Sequence, residues 1–558
     1  MLNGSVKYQI APWINIQARG SVDRTSEVWD RKAYAGTQSI LARPNGGYNY
    51  TNTTITQQYG DLIANMNFHV NDKFQITGLV GTSITDWKTE GINYTSGTAG
   101  LEYPNQFIIQ NSKTPTPTGL SNNRRQLQSV FASTNLSYDQ WLYLDLTARN
   151  DWSSSLAYTG TKSFFYPSVG LGVVLNDKLN MPEFINMAKV RGSYAIVGND
   201  LPPYTTLLTN SLGPYAVLTL NDVAFLKSLK PEKTHSLEIG TEWRMWNNRL
   251  NVDITYYKTN TKNQFFKIAA NQASLYNQYA INAGDIQNQG VEALVSLDAI
   301  RNDNFTWNTS LNFTYNKNKI VELDDRVSEF ALTGDGLFGN YASKFKVGGS
   351  FGDIYGLDFV KDGQGRILVD ATGKPQTTSQ YVKLGNSNPI WQMGWNNSFT
   401  YKNFNLSFLI DGKFDYEVMS ITQALLDGYG VSKATGDARI NGHVAINGVT
   451  PTGDAVTTVD PQSWYESTAG MSPISSQYIY DGTVVRLREL TLGYDFNIKD
   501  SFFKKLRVNA VGRNLFYITK KAPFDPEVTM STGNSLSGVD IFMMPATRNY
   551  GLTLNATF

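Results

Sequence analysis

Apolar and polar residues alternate with a period of two from one end of the chain to the other. Between residues 141 and 149, Leu142, Leu144, Leu146 and Ala148 fall on one face, and Tyr143, Asp145, Thr147 and Arg149 on the opposite one. Between 250 and 258, Leu250, Val252, Ile254 and Tyr256 oppose Asn251, Asp253, Thr255 and Tyr257. The same pattern returns in 307–316, 404–411, 489–497 and 506–513. Strict alternation puts every second side chain on the same side of an extended backbone, so each segment predicts a β-strand with one apolar face. The segments run to about nine residues, which matches the 9–11 of a strand that crosses a bilayer better than the 5–6 of a soluble sandwich. The expected fold class is all-β, an antiparallel transmembrane β-barrel with apolar side chains outside and polar ones inside.

The connections support this. Trp246-Asn247-Asn248-Arg249 and Tyr401-Lys402-Asn403 read as tight turns, and residues 297–304 as another short link. Between such hairpins lie long irregular stretches at 88–123, 197–225, 261–282, 318–345 and 420–477. Short turns at one end and long loops at the other are the outer-membrane arrangement. Aromatic pairs such as Phe164-Phe165, Tyr256-Tyr257 and Phe502-Phe503 stand at segment ends, where a barrel has its interfacial girdles. The last segment alternates Tyr550, Leu552, Leu554, Ala556 and Phe558 with polar residues and ends on the aromatic Phe558. It is expected to be the C-terminal strand through which such a barrel assembles into its membrane, with Tyr550, Leu552, Leu554 and Phe558 facing lipid.

Composition narrows the function. The 558 residues carry 48 Lys+Arg against 47 Asp+Glu, a net charge of +1, so no basic face for nucleic acid is expected. Charged residues make up 17%, below the roughly 25% of a soluble domain. Cysteine is absent, which removes disulfide and zinc-finger scaffolds. His69, His235 and His443 are far apart, so no metal site and no cofactor is expected. No apolar run is long enough for a transmembrane helix, and the first residues lack a basic segment followed by an apolar one, so no signal peptide is read there.

Few motifs suggest chemistry. Gly348-Gly349-Ser350-Phe351-Gly352 matches the nucleophile elbow of α/β-hydrolases, but that motif needs a helix after it, and residues 353–359 alternate like a strand. The expectation is a glycine-rich strand entry and no enzyme. Asp358, Asp362 and Asp370 lack the order of a calcium loop, and Asp362-Gly363 predicts a hairpin turn before a strand at 366–369. Glu322, Asp324, Asp325 and Glu329 form an acidic cluster that reads as a solvated loop or a lumen lining. Tyr204, Tyr215, Trp464 and Tyr465 are loop aromatics, able to stack on sugar rings or peptide side chains or simply to pack.

Several stretches taken in order resemble the C-terminal barrel of SusC/RagA-type TonB-dependent outer-membrane transporters. They are Arg149-Asn150-Asp151-Trp152-Ser153-Ser154 with Phe165-Tyr166-Pro167; Val190-Arg191-Gly192-Ser193-Tyr194; Leu229-Lys230-Pro231-Glu232-Lys233-Thr234; Asn288-Gln289-Gly290-Val291-Glu292; Asp481-Gly482-Thr483 with Leu492-Gly493-Tyr494; and Gly512-Arg513-Asn514-Leu515-Phe516. The resemblance runs from about residue 130 to 558. It implies a 22-stranded barrel around an N-terminal plug, of which residues 1–558 would supply roughly 14–18 strands at about 10 residues each. The chain is then expected to be a C-terminal fragment without signal peptide, TonB-contact segment or plug. The implied location is the bacterial outer membrane. The implied partners are a SusD-like surface lipoprotein, the TonB complex, the barrel-assembly machinery and membrane lipid, and the cargo is an oligosaccharide or peptide. A passive porin-like barrel and a soluble all-β carbohydrate-binding protein remain as other readings.

Overall fold

A computed structural model describes the chain except for residues 40–41, 115–118, 177, 208, 213–217, 226–228, 271–272, 274–275, 325–326, 332–340, 497, 499–501, 528–536 and 558. Among the described residues, one sheet gathers 18 strands. Seventeen of these follow one another up and down in chain order. They are β1 (Leu2–Ala11), β2 (Ile14–Ala33), β3 (Gly47–Asn71), β4 (Phe74–Thr95), β5 (Gly119–Tyr138), β6 (Leu142–Ser153), β7 (Ser163–Val174), β8 (Ile185–Asn199) and β9 (Glu232–Met245). There follow β10 (Leu250–Ala269), β11 (Gln278–Arg301), β12 (Phe305–Glu322), β13 (Trp391–Tyr401), β14 (Phe404–Phe414), β15 (Val484–Phe496), β16 (Lys505–Lys520) and β17 (Asn549–Thr557). The short strand Val223–Phe225 joins as the eighteenth, parallel to Gln278–Ala280. The count falls within the 14–18 expected from length.

Contacts divide the chain into two compact units. One comprises residues 1–173, 193–236 and 261–283, and the other residues 174–192, 237–260 and 284–558. In the first, β2 pairs with β3 from Ile14↔Met66 to Ala33↔Gly47 without a break in register. Register fixes the faces, because residues opposite each other point the same way. Leu62 lies opposite Thr82, Thr82 opposite Val130, Ala132 opposite Ala148, and Leu146 opposite Val169, which makes one apolar face across β3–β7. In the second unit, Leu311, Trp395 and Ile410 align across β12, β13 and β14 in the same way. Leu62, Val80, Val130, Leu146, Val169, Trp395, Leu492 and many other large apolar residues are exposed. In water each would forgo roughly 1.5–3 kcal/mol of burial, and a contiguous apolar surface of this size belongs against lipid.

Aromatic side chains bound this face. At the short-turn end Trp13 stacks on Phe68 at 4.7 Å, Tyr138 meets Phe74 at 6.5 Å, Phe184 stacks on Trp246 at 5.8 Å, and Phe404 meets Tyr494 at 4.8 Å. Trp152 and Phe165 stand exposed toward the other end. From Leu142 to Trp152 the strand covers about 33 Å at roughly 3.3 Å per residue. At a tilt of about 40° that spans about 25 Å, the height of an outer-membrane apolar band. The short turns are as read from sequence: Trp246, Asn247 and Asn248 hold φ of 53°, 57° and 60°, and Lys402 one of 52°.

Two features depart from the sequence reading. Strands β2, β3 and β4 have 20, 25 and 22 residues rather than nine. Beyond the bilayer both faces of a ribbon meet water, so pairing continues where alternation has stopped, as in Thr51-Asn52-Thr53-Thr54. The described residues of the long connections of the second unit also form regular elements. They hold three small sheets and the helices α1 (Ile421–Gly428), α2 (Lys433–Asn441) and α3 (Pro461–Thr468).

Candidate functional site

The polar face of the sheet carries paired charges at matched heights. In the first unit Arg19 lies opposite Asp61. The Arg19 guanidinium donates to both Asp61 oxygens at 2.6–3.0 Å, and the Tyr59 hydroxyl donates to the same carboxylate at 2.5 Å. The row continues through Ser83 and Ser129 to Asp151. Arg149 donates to Asp151 at 2.8 Å and to the Ser129 hydroxyl at 2.7 Å, and the Tyr166 hydroxyl donates to Asp151. Its guanidinium sits over the ring of Phe131, which itself covers the bare Cα of Gly81. Higher up, Arg125 pairs with Asp200 at 3.0 Å and stacks over Trp87 at 4.2 Å.

The second unit repeats the theme. Arg191 grips Asp253 with two bonds of 2.7 and 3.0 Å. Arg507 holds Asp495, to which Asn405 also donates at 3.0 Å. Near the long-loop ends of β14 and β15, Arg486, Arg488 and Lys413 gather around Asp411 and Glu527. Arg488 reaches Asp411 at 2.9 Å, and Lys413 reaches Glu527 at 3.1 Å. These charges are partnered on a buried or half-buried face, so the wall is polar without leaving an unpaired buried ion. Sequence reasoning missed the pairs, although Arg149 and Asp151 already shared the polar parity of their strand.

Above β12–β16 the long connections fold into a body with its own core of Tyr341, Ile354, Met419, Ile421, Leu425 and Val539. The Ser420 hydroxyl caps α1 by accepting from the Gln423 amide at 3.0 Å, and it donates to Asp540 at 2.8 Å. Asp460 caps α3, whose first residue is Pro461. Burial, together with the nearby Asp427 carboxylate, raises the Tyr478 hydroxyl far above its ordinary range, and Tyr478 donates to that carboxylate at 3.1 Å. Burial pushes Tyr341 up to about 12, and burial beside Asp427 pushes Tyr480 up to about 12.

The candidate aromatics are dispersed. Trp464 is buried in α3 and stacks on Phe359 at 5.8 Å, and Tyr465 packs beside Ala424 and Tyr478, so both serve the loop body. Tyr204 is exposed, with φ of 61°, and its hydroxyl accepts from the Arg124 amide at 3.1 Å. Tyr215 and Phe558 lie outside the described residues. Tyr550, Leu552 and Leu554 stand exposed on the apolar face of β17, opposite Gly512, Ala510 and Val508. Ser350 opens no helix. Its hydroxyl donates to Asn318 at 3.1 Å, and the strand Asp353–Gly356 follows. Asp362 makes the expected hairpin turn, its amide bonded to the Arg366 carbonyl at 3.0 Å. Of the acidic cluster, Glu329 pairs with Lys344 and Lys346, and Asp325 lies outside the described residues. No group of acidic and histidine side chains suited to a metal occurs among the described residues.

Comparison with known proteins agrees with this geometry. Residues 7–515 match the family described as TonB dependent receptor-like, beta-barrel. TonB-dependent receptor P3 of Formosa agariphila is 28% identical over 476 residues, covering 78% of this chain and 46% of that protein. TonB-dependent receptor SusC of Bacteroides thetaiotaomicron is 25% identical over 471 residues, covering 78% of this chain and 44% of its own length. The chain thus spans about half the length of the curated relatives it matches. The RagAB peptide transporter structure superposes over 100% of this chain and 61% of its own, with a TM-score of 0.77 at 19% identity, a likeness of fold.

Proposed function

This chain belongs to the β-barrel family of TonB-dependent receptors, outer-membrane proteins that are not enzymes, and from that premise we propose that it is the wall of a SusC-type importer. The cargo in this reading is an oligosaccharide or peptide. A SusD-like surface lipoprotein works with it as a lid, and TonB supplies the energy. In this reading residues 1–558 are wall and loops. The barrel-assembly machinery inserts the wall through its C-terminal strand.

One observation carries the reading: an apolar face bounded by aromatic belts backs onto a face of paired charges, amides and hydroxyls. A polar solute can pass such a wall without covalent chemistry. The folded loop body adds Tyr429 and Val431, exposed in the α1–α2 turn, and Ile440, exposed near the end of α2, as apolar residues that a lid would cover.

The test is growth of the host with and without the gene, on oligosaccharides or on peptides as sole carbon source. The expected result is loss of growth on one of these classes, and loss of uptake when the proton gradient is dissipated. Uptake that persists without the gradient would replace this reading with a passive porin.

A further inference from the structure

A cavity of about 250 Å³ opens in the first unit between the β2–β3 connection and the loop after β4. Arg31, Arg43, Ser39, Asn49, Thr95 and Ser96 line it together with glycine backbone. Arg31 lies opposite Asn49, and Asn49 opposite Thr95. The ladder from Arg19↔Asp61 to Arg31↔Asn49 is unbroken and the separation even, so the cavity opens on the side of the paired charges rather than on the apolar face.

Existing hydrogen bonds use up acceptors here and leave donors. The Asn49 carbonyl oxygen accepts from the Thr95 hydroxyl at 2.6 Å, which leaves the Asn49 NH2. Ser96 is buried and its oxygen accepts from the Tyr48 amide at 2.9 Å, which leaves its hydroxyl proton. The Arg43 Nε donates to the Thr98 carbonyl, which fixes the guanidinium and leaves its two terminal nitrogens. Arg31 has no ion pair or hydrogen bond among the described residues. No carboxylate lines the cavity among them. The adjacent Asp30 has the opposite parity on β2 and pairs with Lys32 at 2.8 Å.

The frame is rigid. Gly100 has φ of +76°, and a Cβ there would lie 2.7 Å from the Arg43 Cβ. Gly46, at φ +93°, would clash with the Ala33 carbonyl at 2.4 Å. Both positions demand glycine; Gly100 presses the two loops together at the cavity wall, and Gly46 closes the β2–β3 connection on the end of β2. Behind them Leu101 is fully buried, and Phe107 contacts the rings of Tyr34 at 5.0 Å and Tyr48 at 6.1 Å.

We propose that this cavity binds an oxyanion group, carboxylate, sulfate or phosphate, through the guanidinium groups of Arg31 and Arg43. Two forked cations with amide and hydroxyl donors and no competing carboxylate match the geometry of such a group. The volume lies below the roughly 300–1,000 Å³ of sites for drug-sized molecules. It admits the charged group and at most the single ring that carries it. The group can come from a free inorganic ion or from a substituent on a larger sugar, and the site does not depend on transport.

The experiment is calorimetric titration of the full chain in detergent at low salt with glucose 6-sulfate, inorganic sulfate and glucose. Glucose 6-sulfate is expected to bind and glucose not. The Arg31→Gln/Arg43→Gln variant should bind the sulfated sugar about tenfold more weakly or worse, the scale of losing one charge-assisted contact. Both side chains are exposed, and retention of the heat-modifiable electrophoretic mobility verifies that the variant folds. The Arg31→Lys/Arg43→Lys variant, which keeps charge without the fork, should fall between. Sulfate as tight as glucose 6-sulfate identifies a free ion as the source, and sulfate at least tenfold weaker identifies a carried substituent. Equal binding of glucose and glucose 6-sulfate, unchanged affinity in the Gln variant, or no binding of either anionic probe overturns the proposal.

Discussion

Asp61 shows how a single side chain makes a polar wall tolerable. Its carboxylate is fully buried, yet it accepts from Arg19 and Tyr59, while Arg19 itself stays about half exposed. Asp61→Ala removes the acceptor and leaves a guanidinium that water can still reach. The loss is therefore smaller than for a fully buried pair, about 1–2 kcal/mol. Urea unfolding in detergent micelles measures it, and a midpoint equal to that of the unaltered chain would show that the pair does not stabilise the wall. Asp61→Asn keeps an acceptor for Arg19 and should lose less. Arg31, twelve residues along the same strand and on the same face, has no carboxylate opposite it, and that difference separates a structural arginine from one available to a ligand.

At the scale of the element, β17 is the strand whose faces differ most in consequence. Leu552 lies on the apolar face opposite Ala510, and Thr553 on the polar one opposite Asn509. Leu552→Arg should destabilise insertion by roughly 2–4 kcal/mol if the position is near mid-membrane, whereas Thr553→Arg should be nearly silent. Folding into lipid vesicles followed by electrophoretic shift distinguishes them, and equal effects would contradict the assignment of faces. The apolar parity of β6, β12 and β15 was readable in the sequence because membrane and lumen impose opposite demands on neighbouring residues. The distal halves of β2–β4 were not, since water on both sides imposes none. The helices carried legible starts in Ser420 and in Asp460-Pro461. Their eight residues are too few for a periodic face to stand out. Arg149 and Asp151 share one strand, but the other polar pairs and the Arg31–Arg43 cavity join residues from separate strands and loops, and nothing in a single sequence links those.

At the scale of the whole molecule, the second unit combines a sheet built for lipid with a water-facing body that has an ordinary core. The two should respond differently to pH. Tyr341, Tyr478 and Tyr480 all lie in the body with hydroxyls raised above their usual value of 10, chiefly by burial. A raised tyrosine favours the folded state fully below pH 10. That contribution is lost as pH climbs toward the folded value, about 12 for Tyr341 and Tyr480. Between these limits the loop body should open while strand content persists. Tyrosinate absorbance and circular dichroism followed together would reveal this, and a single coincident transition would show that body and sheet unfold as one.

The unbroken ladder of β2 and β3 has a mechanical meaning as well. From Ile14↔Met66 to Ala33↔Gly47 it contains no bulge, and it runs without interruption from the short-turn end to the arginine-lined cavity. A pull on the tip along the strand axis draws both strands the same way, so it leaves the rungs between them unloaded and loads in shear the ladders that join the ribbon to β1 and β4. The ribbon therefore behaves as a stiff strut. A force applied by something seized at its outer end would be delivered into the membrane-embedded wall before the tip itself gave way.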